Sequence, residues 1–187
     1  SSRGYNRQYE CRGRQLEYLG GRTVVRSAMA GNRRALLEAF IRSDASPEGK
    51  WWLDVPVGLS VGEDGDHATA DAICLTSREP ELPEEFPDHT GVPYVYREDD
   101  SELGVDKAEA FRLLREKHIF TGESVVLVAA EPDASSVGRV GELLAYEELL
   151  GADWDWTIED RLLVSDTDSD HVNHVCRELG VRAVRVA

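Results

Sequence analysis

The chain has 187 residues, 41% of them hydrophobic and 30% charged, with 36 acids against 21 bases and a formal net charge of −15. This fits one globular domain, or one domain with a small appendage, and excludes a disordered tail or a fibre. No apolar run approaches the roughly 20 residues of a membrane helix and no charged-then-apolar leader is visible, so a cytoplasmic protein without membrane contact is expected.

Taken in chain order, residues 5 to 19 read as a basic helix with a thin apolar set (Tyr9, Leu16, Leu19), stopped by Gly20-Gly21. A short strand is expected at Thr23 to Arg26, then a helix from about Asn32 whose Leu36, Leu37, Phe40 and Ile41 recur at helical spacing. Trp51 to Val61 reads as a strand, bent or at an edge because Pro56 lacks a ladder donor. The Gly- and Asp-rich turn Gly62 to His67 leads back into a strand at Ala70 to Thr76, which makes a hairpin. From Glu79 to Glu102 the chain is acidic and carries Pro80, Pro83, Pro87 and Pro93 without a sustained period, as a surface insertion would. Asp106 then caps a helix with Glu109 three residues on and Ala110, Phe111 and Leu114 facing inward. The apolar run Val125 to Ala130 is the mark of a strand buried on both faces. A helix from about Ser136 to Leu150, a strand at Arg161 to Ser165, a helix opening at Asp170 and a last strand at Val181 to Val186 follow. Strand, helix, strand, helix, strand requires crossovers and some parallel pairing. The expected class is α/β, with a basic N-terminal helical segment at 1–48 and a core at 49–187 that carries an acidic insertion at about 79–120.

Charge is unevenly spread. The 21 bases are 18 arginines and only Lys50, Lys107 and Lys117, and residues 1–42 hold nine arginines with three acids (Glu10, Glu17, Glu38), a net of +6 against −21 for the rest. Such asymmetry is the footprint of a face that meets a polyanion, and Arg3, Arg7, Arg12, Arg14, Arg22, Arg26, Arg33 and Arg34 are the candidate DNA or RNA contacts. The competing reading is a set of arginines that pairs internally with the acidic body. Acid excess with little lysine also resembles the composition of proteins from salt-accumulating, archaeal-type microbes, where surface carboxylates preserve solubility.

The order helix, hairpin, strand, helix, strand, with Asp71 in Ala70 to Leu75, the run Val125 to Pro132, and Gly141 to Tyr146, resembles the PD-(D/E)XK nuclease superfamily. That resemblance implies a restriction-endonuclease-like mixed sheet flanked by helices. It also implies a Mg²⁺ or Mn²⁺ site in which carboxylates on the second and third strands polarise a phosphate and activate water. Asp71 matches the second-strand aspartate. On the third strand, Ala129-Ala130-Glu131-Pro132 stands where the family has Glu, any residue, Lys and Pro, so the acid becomes Ala129 and the lysine becomes Glu131. Asp71 and Glu131 are therefore the expected catalytic pair and metal ligands. Glu38 or Glu10 would supply a further oxygen from an N-terminal helix, or Glu142 or Glu147 by migration from the helix that carries Tyr146. The opening Gly4 to Glu10 with its basic helix is also similar to the start of archaeal Holliday-junction resolvases.

Other patterns carry less. Asp166, Asp168 and Asp170 are spaced like the start of a calcium loop, but His171 replaces the glycine and the closing Glu is missing. His171 and His174 have no further ligand at zinc spacing. Trp154-Asp155-Trp156 could stack on a base, although paired tryptophans before a strand are usually packing residues. Cys11, Cys74 and Cys176 are unpaired in spacing and read as thiols of core or surface. The expectation is a nuclease-like nucleic-acid-binding protein with altered or lost phosphodiesterase activity. The alternative is a non-enzymatic interaction or scaffold domain, and the edge strands allow a homodimer.

Overall fold

A computed structural model describes residues 18–19, 22–23, 27–62, 65–83, 86, 106–132 and 137–186, with side chains from Arg33 onwards. Two-residue strands β1 (Tyr18–Leu19) and β2 (Arg22–Thr23) pair antiparallel around Gly20-Gly21. The expected helix over 5–19 therefore fails at its described end, where two adjacent glycines favour a reversal, and the rest of it lies outside the described residues. The main elements are α1 (Ser27–Ile41), β3 (Lys50–Val57), β4 (Ala68–Leu75), α2 (Lys107–Glu116), β5 (Ser124–Ala130), α3 (Gly138–Trp154), β6 (Thr157–Ser165), α4 (Asp170–Glu178) and β7 (Arg182–Arg185). Their sheet has the order β3-β4-β5-β6-β7, antiparallel at the first two junctions and parallel at the last two. The protein is thus an α/β fold on a mixed five-stranded sheet. Among the described residues no helix is long and apolar enough to cross a membrane.

Alternation along the strands sends side chains to two cores. On one face Trp51, Leu53, Cys74, Val126, Val128 and Leu162 pack with Leu36, Leu37, Phe40 and Ile41 of α1. On the other, Trp52, Ile73, Leu127 and Leu163 pack with Phe111 of α2, Leu143, Leu150 and Trp154 of α3, and Cys176 of α4. α1 is thus built into the sheet's core, although the sequence placed it in the N-terminal segment. Pro56 sits on β3, an edge strand as expected.

The connection from β4 to β5 is closed at its neck. Thr76 donates both its amide and its hydroxyl to the Ser124 carbonyl, each at 3.1 Å. Arg78 Nε donates to Glu123 at 2.8 Å, and its guanidinium lies 4.6 Å from the Phe120 ring centre. Phe86, Ala108, Phe111 and Phe120 within the expected acidic insertion are buried, so these four side chains anchor it to the core. Asp106 caps α2, accepting from the Glu109 amide at 2.7 Å, as its spacing predicts.

Burial pushes the Glu123 carboxyl upward, but hydrogen bonds from Arg78 and Ser77 and the Arg78 charge outweigh it and hold the group below its ordinary 4.5. A carboxylate with a lowered folded pKa adds stability above its unfolded value and loses it as pH falls through the folded one. Glu123→Gln is therefore expected to lower the urea midpoint near neutral pH and to leave it unchanged at a pH acidic enough to protonate Glu123 in the folded protein. Equal losses at both pH values would show that the charge plays no part.

Candidate functional site

The sheet changes character at one point. Leu53 and Ala72 pack on the α1 face while Val55 and Ala70 pack on the opposite one, so the alternation breaks at Asp54 and Asp71, between two paired positions of the ladder. Asp54 adopts a left-handed φ of 48°, a conformation that short polar side chains tolerate better than most. The β4–β5 ladder runs from Leu75↔Val125 to Ala72↔Val128. Beyond it, Asp71 takes over with its side chain: Oδ2 accepts the Ala130 amide at 3.0 Å. An aspartate is thereby held at the splayed end of the central strands, 7% exposed.

The group that meets it is Arg139, in the first turn of α3. Arg139 Nη2 donates to Asp71 Oδ2 at 2.8 Å and to the Ala130 carbonyl at 3.2 Å, and Nη1 donates to Glu142 at 2.6 Å. Its Nε lies 3.5 Å from Glu131. Asp71 Oδ1 is 3.7 Å from Arg33 Nη1, and Arg34 Nη2 donates to Asp54 at 2.9 Å. Burial holds the Asp71 carboxyl above its usual range, against the pull of Arg139, the Ala130 amide and Arg33. Desolvation works against the Arg139 charge, but Asp71, Glu142 and Glu131 outweigh it and keep the guanidinium more firmly protonated than usual. Burial, with the Glu142 charge second, raises the nearby Tyr146 phenol.

Asp71 and Glu131 are thus brought together, but around a guanidinium. Glu38 pairs with Arg42 one turn along α1 at 3.3 Å, and Glu147 pairs with Arg161. Among the described residues no group of three His, Cys, Asp or Glu side chains is placed to hold a metal ion. The donor set does not fit a divalent cation: Asp71, Glu131 and Glu142 all face Arg139, and Ala129 at the end of β5 offers only a methyl.

Of the arginine face, Arg33 and Arg34 turn toward Asp71 and Asp54. Arg22 lies on β2, and Arg3, Arg7, Arg12, Arg14 and Arg26 lie outside the described residues, as do Glu10 and Cys11. Trp154 and Trp156 are packing residues, the commoner of the two readings of the pair, and not base-stacking platforms: they are 2% and 6% exposed and stack on each other at 5.0 Å. Asp168 pairs with Arg185, and Ser169 caps α4. Cys74 and Cys176 are buried free thiols, Cys74 pushed up to about 12 by burial and, less, by Glu159. Sequence reasoning missed Arg139. Its signal is a cation in a helix's first turn, where the dipole disfavours it and only a local carboxylate cluster makes it favourable.

No family model matches the chain, and no characterised protein or solved structure matches it either.

Proposed function

We propose that the chain is a nuclease-like α/β protein that binds nucleic acid through its arginine-rich N-terminal segment and does not hydrolyse it. The reading is supported by the order α1, hairpin β3–β4, β5, α3, β6, which is the order of the PD-(D/E)XK core with α2 inserted between β4 and β5, and by Asp71 on the second of those strands. The observation that carries it is the arrival of Arg33 and Arg34 beside Asp71 and Asp54, which brings the end of the basic segment to the site that would face a phosphodiester. Loss of hydrolysis follows from the carboxylates being committed to Arg139.

The test is fluorescence anisotropy of a labelled DNA duplex and of an RNA of the same sequence, across a KCl series with Mn²⁺ present. Phosphate contacts make log affinity fall linearly with log salt, by about 0.9 per contact on duplex DNA. A slope steeper than about −3, with the strands recovered uncut, is expected. Absence of binding, or affinity indifferent to salt, would remove the reading. Cleavage lost in Asp71→Ala would instead restore a working metal site.

A second reading, a non-enzymatic scaffold whose arginines pair within the fold, draws on the same ion pairs, since Arg33 and Arg34 both have acidic partners. It predicts salt-indifferent behaviour in that experiment.

A further inference from the structure

We infer that Arg139 supplies the positive charge that a divalent cation would otherwise bring to the Asp71 site, so that the folded protein takes no Mg²⁺ or Mn²⁺ there and does not depend on either. Three carboxylates, those of Asp71, Glu131 and Glu142, meet at this point. Carboxylates gathered in a place of low water access repel one another and require a compensating cation. A guanidinium offers five donors in a rigid fork, whereas a metal requires converging oxygens. Here the fork is in use on every nitrogen: Nη2 serves Asp71 and the Ala130 carbonyl, Nη1 serves Glu142, and Nε faces Glu131. The side chain is 13% exposed, so its contacts are shielded from water.

The sequence shows the same exchange. Ala129 removes an acid from the end of β5, Glu131 places one two residues later, and Arg139 returns from α3 to meet it. Naming the displaced ion as divalent rests on the nuclease-like reading. The charge role of Arg139 does not, and the experiment uses no nucleic acid.

The test is urea unfolding of the full chain as wild type, Asp71→Asn, Arg139→Met and the double variant, with and without millimolar Mn²⁺. Arg139→Met alone should raise the unfolding equilibrium constant strongly, because it leaves the buried Asp71 carboxyl with only the Ala130 amide and the more distant Arg33. The double variant should recover part of that loss, with a coupling of about tenfold between the two positions. Mn²⁺ should leave the wild-type midpoint where it is. Two results overturn the inference: additive effects, or a Mn²⁺-induced rise in the wild-type midpoint that Asp71→Asn abolishes. If Arg139→Met does not fold alone, Arg139→Gln, which removes the charge and keeps an amide donor, completes the cycle. The Mn²⁺ arm on wild type decides the ion question in either case. Failure of nucleic-acid binding with this coupling intact would remove the proposed function and leave the inference standing.

Discussion

Asp153→Ala is expected to remove about 4 kcal/mol of folding stability, more than a typical surface change by a wide margin. Asp153 lies near the end of α3, where the helix dipole disfavours an acid, and it is 4% exposed. Its carboxylate accepts the amides of Gly58, Leu59 and Ser60 at 2.8, 3.1 and 2.8 Å, and the Ser60 hydroxyl at 2.8 Å. Those bonds fasten the exit of β3 to the far end of α3. Alanine would strand three amides, two of them in bonds away from water, and each unsatisfied buried donor costs about 1–3 kcal/mol. Asp153→Asn keeps an acceptor and the volume and should lose about half as much. Urea titration measures both, and an alanine variant within 1 kcal/mol of wild type would mean that water replaces the carboxylate at little cost.

Trp52→Ala is expected to cost a similar amount, about 4 kcal/mol, by a different mechanism. The Trp52 ring lies 5.4 Å from Phe111, 4.9 Å from Phe120, 6.3 Å from Trp154 and 5.9 Å from Trp156, centre to centre. One side chain of β3 thereby joins α2, the approach to β5, and the end of α3. Truncation forfeits transfer free energy and leaves a cavity that four large rings cannot fill together. Near-UV circular dichroism should weaken with the stability loss, since Trp154 and Trp156 lose the neighbour that fixes them. Trp51→Ala, on the opposite face against Phe40 at 6.2 Å, should loosen α1 and leave that signal largely in place. Equal spectral losses in the two variants would contradict the division into two cores.

The parts of the fold that the sequence announces are those set by local pattern. Val125 to Ala130 has no polar residue to interrupt it and forms the central strand; Asp106 and Glu109 cap a helix as their spacing demands. Asp71 is legible as a strand aspartate because its neighbours are apolar on both sides. Arg139 is not, since its role depends on α3 folding back over the end of β5, a relation no window of sequence contains. Asp153 is hidden for a similar reason: one acid among 36 differs from the others only by three amides that lie more than ninety residues away. Trp154 and Trp156 show the reverse case, where a suggestive pair has its meaning fixed by burial. At Tyr18 and Leu19 the expected helix's end is instead a two-residue strand paired antiparallel with Arg22–Thr23.

The neck at Thr76 and Arg78, joined to Glu123 and Ser124, ties together the two ends of the connection that carries α2. The entropy of closing a connection grows only with the logarithm of its length, about 0.6 kcal/mol for each doubling. Insertions between the tied ends, away from α2 and the buried Phe86 and Phe120, are therefore expected at small thermodynamic expense. Variation among related chains would then accumulate there, while the strands on either side of the tie keep their register.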